Sequence, residues 1–126
     1  MENPRPSIVH VVDDDEAVRD SMRALLESYG IDVRAYASAG EFLHANPDQP
    51  NGCVLLDLHM PGMTGLELLE TLQARRSRIP VILITGRSDS SLKQRAARAG
   101  AVTLIEKPVA GEKLLDLLAL ALARAV

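Results

Sequence analysis

Aromatic side chains are almost missing from this chain. Among 126 residues the benzenoid rings are Tyr29, Tyr36 and Phe42, there is no Trp, and the aromatic share is 2%. Folds that bind nucleic acid by stacking bases need aromatic platforms, so the composition argues against that class. The core must be built from Leu, Ile, Val and Ala instead. Cysteine is nearly absent too: Cys53 stands alone, which excludes an internal disulfide framework and a Cys-based zinc site. No apolar run approaches the ~20 residues of a membrane span. Residues Met1 to Ser7 are polar, with Pro4 and Pro6, and lack the apolar core of a signal peptide. Nor is there a basic excess. Fourteen Lys and Arg face seventeen Asp and Glu, a net charge of −3, opposite to the footprint of a nucleic-acid binder. These absences lead to the expectation of a cytoplasmic protein without membrane contact.

What is present is a composition 47% hydrophobic and 25% charged, which fits one folded domain. A chain of this length buries roughly two thirds of its unfolded surface, enough for a core without staples. Short apolar runs alternate with longer amphipathic stretches. Ile8, Val9, Val11 and Val12 form a β-branched run that stops at acids. Val18, Met22, Leu25 and Leu26 follow at helical spacing, with Gly30 as the expected C-terminal cap. Asp32 to Ala37 is a weaker strand, and Ser38 with Glu41 has capping-box spacing for a short helix to about Ala45. After a turn-rich loop from Asn46 to Gly52, Cys53 to Leu56 is a fully apolar strand ending at Asp57. Pro61, Gly62 and Gly65 mark a tight loop, and Thr64 with Glu67 opens a helix through Leu72. Val81 to Ile84 is a buried strand ending at Thr85; Leu92, Ala96 and Ala99 mark a helix closed by Gly100. Val102, Leu104 and Ile105 form the last strand, followed by Glu106, Lys107, Pro108 and a Leu/Ala-rich helix from Leu114 to Val126. Apolar strands without polar alternation are covered on both faces, so the predicted fold is α/β: five parallel strands alternating with five helices.

In an open parallel sheet, ligands sit outside the carboxyl ends of the strands, at the topological switch point. The residues directly after the apolar runs are Asp13 and Asp14, Asp57, Thr85 and Lys107. Each has a structural reading when taken singly. Asp13, Asp14 and Asp15 could be charges favoured by a helix dipole, and the others ordinary turn residues. Together they describe three carboxylates, a hydroxyl and an ammonium converging on one edge. One carboxylate pair at 4 Å repels by about 4 kcal/mol at an effective dielectric near 20, so such a site calls for a cation. With oxygen ligands alone, Mg²⁺ is favoured over zinc. Cation, ammonium and hydroxyl can share the oxygens of a phosphoryl group, so the residues point to Mg²⁺-dependent phosphoryl transfer.

The sequence at this point resembles the CheY-like receiver domain of bacterial two-component response regulators. The resemblance covers about residues 7 to 124. It is carried by Val-Val-Asp-Asp-Asp-Glu at 11–16, Leu-Leu-Asp-Leu-His-Met-Pro-Gly-Met-Thr-Gly at 55–65, Ile-Thr-Gly at 84–86 and Glu-Lys-Pro at 106–108. The wording is most similar to the FixJ type, whose receivers usually precede a helix-turn-helix domain. The resemblance implies a doubly wound (βα)5, flavodoxin-like sheet of order 2-1-3-4-5, the order found in CheY. It divides the chain into a disordered segment 1–6 and a receiver domain 7–126, with DNA contact only through a C-terminal domain outside these residues. It implies that Asp57 is the phosphoacceptor for a sensor histidine kinase, a signalling role rather than an enzyme's, in which the domain assists its own phosphorylation and dephosphorylation. Asp13, Asp14, Asp57 and the backbone carbonyl of His59 would hold Mg²⁺, while Thr85 and Lys107 would bind the phosphoryl oxygens. A cis Lys107–Pro108 bond is implied as well. Where the family usually keeps an aromatic switch residue, three before the lysine, this chain has Leu104. The switch pair is then Thr85 and Leu104, relayed by a leucine rotamer or by backbone movement after Thr85. The His59 side chain reads as a loop-surface imidazole.

Lys93, Arg95 and Arg98 make the fourth helix basic, either a solvated face or a surface for a homodimer through the last two helices and fifth strand. Arg75, Arg76 and Arg78 read as a helix C-terminus. Two alternatives complete the expectations. A haloacid-dehalogenase-like phosphatase would use Asp13 and Asp15 as an Asp-x-Asp pair but leaves Asp57 unexplained. A pseudo-receiver would act as an unphosphorylated interaction module.

Overall fold

A computed structural model describes residues 8–47, 51–87, 89–108 and 111–124. The segment 1–6, residues 48–50 of the expected loop before Cys53 and the last two residues of the expected Leu114 to Val126 helix lie outside the described residues. The elements alternate strictly: β1 (Ile8–Val12), α1 (Glu16–Glu27), β2 (Asp32–Tyr36), α2 (Ala39–Ala45), β3 (Cys53–Asp57), α3 (Gly65–Ala74), β4 (Val81–Thr85), α4 (Ser90–Arg98), β5 (Thr103–Glu106) and α5 (Gly111–Arg124). All strand pairs are parallel, and the sheet order is β2-β1-β3-β4-β5. The expected order and element count are both met. The fifth strand starts at Thr103 rather than Val102, and α5 starts three residues before Leu114.

Every residue of β1, β3 and β4 is buried, as uninterrupted apolar runs require in a sheet covered on both faces. Alternate side chains feed two separate cores. Val12, Val54, Leu56, Val81 and Leu83 pack with Phe42, Leu68 and Ala96 under α2, α3 and α4. Val9, Val11, Cys53, Leu55, Ile82 and Ile84 pack with Leu26, Leu114 and Leu118 under α1 and α5. Burial pushes the Cys53 thiol up to about 12, so it serves as a small apolar filler.

His10 interrupts the apolar run of β1 yet is buried. Its Nε2 lies 2.9 Å from the Asn51 carbonyl, which can only accept, so Nε2 carries the proton. Nδ1 is then an acceptor for the Tyr36 hydroxyl at 3.0 Å, and Asn46 Nδ2 donates to that same hydroxyl at 3.3 Å. Tyr36 stacks on the imidazole and Phe42 meets both rings edge-on. Two of the chain's three aromatic residues thus close around one histidine between β1, β2 and α2.

Candidate phosphoryl-transfer site

The strand order reverses between β1 and β3, and the residues leaving their carboxyl ends meet there. Asp13, Asp14 and Asp57 each offer a carboxylate oxygen, and these oxygens lie within 4.8 Å of one another. Asp13 and Asp57 are buried, and Asp14 is exposed at the mouth. Lys107, at the end of β5, reaches across with Nζ 3.5 Å from Asp57 Oδ1 and 3.8 Å from Asp13 Oδ2. The Lys107–Pro108 peptide bond is cis, as the resemblance implied.

The backbone fixes Asp13 tightly. Its N–H donates to the Tyr36 carbonyl, its own carbonyl accepts from Arg19 at 2.8 Å, and its Oδ1 accepts from the Asp15 N–H at 2.9 Å. Burial holds the Asp13 carboxyl above its ordinary value of 3.8; the Asp15 hydrogen bond opposes this, Asp57 and Asp14 add to it, and Lys107 opposes it. The neighbouring acid has a different task. Asp15 is the N-cap of α1, its side chain accepting from the Ala17 and Val18 N–H groups. The acid run therefore divides into two site residues and one cap. Asp15, which a phosphatase Asp-x-Asp pair would need, is committed to the helix start.

The loop after Asp57 is built to approach closely. Gly65 begins α3 directly against the Asp57 carbonyl, and a Cβ there would overlap the Asp57 and Leu58 backbone. Thr64 caps α3 in a closed capping box, with Thr64 Oγ1 accepting from Glu67 N–H and Glu67 Oε1 accepting from Thr64 N–H. On the other side, the Leu58 N–H donates to the Ile84 carbonyl and the Lys107 N–H to the Thr85 carbonyl. Asp57, Thr85 and Lys107 are thereby held on adjacent strand ends β3, β4 and β5.

Thr85 is fully buried, and its hydroxyl is already engaged: it donates to the Arg87 carbonyl at 2.9 Å and accepts from the Arg87 N–H at 3.3 Å. His59 is exposed, but its Nε2 lies 3.3 Å from Thr85 Oγ1. No sequence signal marks this contact, since the two residues are 26 apart and only the packing of two loops brings them together. Leu104 is half-buried on β5, opposite Leu83 of β4, and packs against the α4 side of the sheet. Lys93, Arg95 and Arg98 are exposed along α4.

Comparison with known proteins bears on the family and the fold. The Response regulator receiver domain family matches residues 9–119. The chain belongs to that family. The receiver is 46% identical over 105 residues to the transcriptional regulatory protein FixJ of Azorhizobium caulinodans, covering 83% of this chain and 50% of that protein. It is 39% identical over 117 residues to the transcriptional regulatory protein TdiR of Thauera aromatica, covering 93% of this chain and 52% of that one. The crystal structure of FixJ-N superposes with a TM-score of 0.82 at 40% identity, over 99% of this chain and 94% of that one. The response regulator StyR superposes with a TM-score of 0.87, also at 40% identity, over 94% and 60%. The receiver spans about half the length of the curated relatives it matches. Among the described residues no helix is long and apolar enough to cross a membrane.

Proposed function

We infer that this receiver accepts a phosphoryl group on Asp57 from the phosphohistidine of a sensor kinase and passes the event to an output that controls transcription. The observation that carries this is the placement of the Asp57 carboxylate within reach of two further carboxylates and one ammonium. Attack by an Asp57 oxygen on phosphorus forms the acyl phosphate; the P–N bond breaks and the imidazole leaves with its electron pair.

The donor set fits a hard divalent cation. Asp13, Asp14 and Asp57 supply oxygen ligands only, burial holds the Asp13 carboxyl above its ordinary value, and Lys107 is paired with Asp13 and Asp57, one ammonium against three carboxylates among the described residues of the group. Mg²⁺ is the ion these residues and the His59 backbone carbonyl would hold. When bound it neutralises charge on the phosphoryl oxygens. Lys107, freed from its pairing with the Asp57 carboxylate, supports one phosphoryl oxygen, and the Thr85 hydroxyl donates to another. The same groups orient water for hydrolysis, so the domain assists both its phosphorylation and its dephosphorylation without being a dedicated enzyme.

Engaging Thr85 withdraws its proton from the Arg87 carbonyl and so biases the loop into α4. Leu104, on β5 opposite Leu83 and packed on the α4 side, is the second switch position. It repacks by rotamer change or with the moving backbone, and phosphorylation acts as a population shift. The face of α4, β5 and α5 is then the homodimer or output surface. The relatives at about twice this length are named transcriptional regulatory proteins, which supports an output in transcription, with DNA contact in this reading falling to a separate C-terminal domain. Phosphoramidate with Mg²⁺ is expected to add one phosphoryl group by intact mass, with no adduct in Asp57→Asn or after chelation. An adduct that persists in Asp57→Asn refutes the assignment.

A further inference from the structure

A threonine hydroxyl has one proton and two lone pairs. In the resting receiver the Thr85 proton goes to the Arg87 carbonyl, the shorter contact at 2.9 Å. Were it turned to His59 instead, two acceptor oxygens would face each other at that distance. The 3.3 Å contact to His59 therefore runs the other way, with His59 Nε2–H donating into Thr85 Oγ1. Arg87 N–H takes the remaining lone pair, and Thr85 is hydrogen-bonded to its full capacity.

We propose that His59 is a positioning residue that acts through Thr85, latching its hydroxyl in the resting arrangement so that phosphorylation must displace it. This rests on the phosphoacceptor role of Asp57 argued above. Donation into Oγ1 polarises the Thr85 O–H and strengthens its bond to the Arg87 carbonyl, the bond that must break before the hydroxyl can reach a phosphoryl oxygen. His59 is exposed and lies in the loop between β3 and α3, so it can release Thr85 without disturbing either core. The latch couples the loop after Asp57 to the loop after Thr85 before any phosphoryl group arrives.

Two measurements test it. Long-range ¹H–¹⁵N spectra of the resting protein should show neutral His59 protonated at Nε2, with that preference lost in Thr85→Ala; an Nδ1–H tautomer overturns the latch. Binding of beryllofluoride with Mg²⁺ should tighten roughly threefold to tenfold in His59→Ala, the range set by one hydrogen bond. In His59→Gln, whose amide reaches about as far as Nε2, affinity should return close to the original. The His59→Ala effect should vanish in a Thr85→Ala background. Unchanged or weakened binding in His59→Ala, or an equal change in both backgrounds, overturns the proposal while leaving the phosphoacceptor role intact. No beryllofluoride binding by the unaltered protein, with Mg²⁺ present, overturns both.

Discussion

His10 is an ionisable side chain placed where charge is poorly solvated. Burial lowers its pKa from the ordinary 6.5; the bond to the Asn51 carbonyl opposes the shift, Arg34 adds to it and Asp32 opposes it. The unfolded chain therefore binds more protons than the folded one in the interval below 6.5. The contribution of His10 to stability is fully present above that value and is lost as pH falls through the interval to its folded-state pKa. Asp13 works in the opposite sense, since its raised pKa makes the fold gain protons first as pH falls. Urea midpoints measured across this range should decline for the natural sequence, and His10→Gln should remove that segment of the curve whatever its effect on the plateau. A slope that persists in His10→Gln assigns the effect elsewhere. None of this network is legible in the sequence. A lone histidine in an apolar run has no visible partner when its ligands sit 26 and 41 residues away. Asp15 poses the converse problem: side by side, three acids look alike, and only the direction of α1 separates the cap from the site.

Elements were more legible than residues, and unevenly so. β1, β3 and β4 announce themselves because central strands bury both faces, whereas β2 and β5, at the sheet edges, mix buried and exposed positions. Three helices end alike. After α1, Gly30 N–H donates to the Glu27 carbonyl and Ile31 N–H to Leu26; after α4, Gly100 donates to Ala97 and Ala101 to Ala96. This is the Schellman arrangement, and its left-handed residue is glycine in both, at φ 78° and 93°. α3 closes identically through Arg76 to Gln73 and Ser77 to Leu72, but with Arg76 at φ 58°. The glycine signal that marks the other two ends is missing there, so the cluster of arginines marks the helix C-terminus by charge alone and gives no sign of the left-handed residue. A side chain in this region is strained. Arg76→Gly should accordingly stabilise the domain by about 0.5–1 kcal/mol, seen as a higher urea midpoint with unchanged slope. A lower midpoint means that the arginine makes contacts outweighing its backbone strain.

At the scale of the molecule, the site was legible because the fold is an address system: each polar residue directly after an apolar run lands at one edge, and Asp13, Asp57 and Lys107 are brought together accordingly. What the linear pattern cannot convey is which hydroxyl lone pair faces which donor, and so the tie between His59 and Thr85 emerges only in three dimensions. The rings around His10 lie toward β2, one rim of the sheet, while Leu104 lies on β5, the other. This separation has an optical consequence. A protein without tryptophan is dark at the red edge of ultraviolet excitation, and β5 carries no aromatic ring. Leu104→Trp would place a single emitter beside α4, in a half-buried position bordered by the small side chains Ala96, Ala97 and Ala101. Its emission should shift on adding beryllofluoride with Mg²⁺ and stay fixed in an Asp57→Asn background. If ligand binds and the emission does not move, Leu104 is a spectator. The same poverty of rings thus leaves a silent background, against which one photon source can test whether the event proposed at Asp57 reaches the far rim of the sheet.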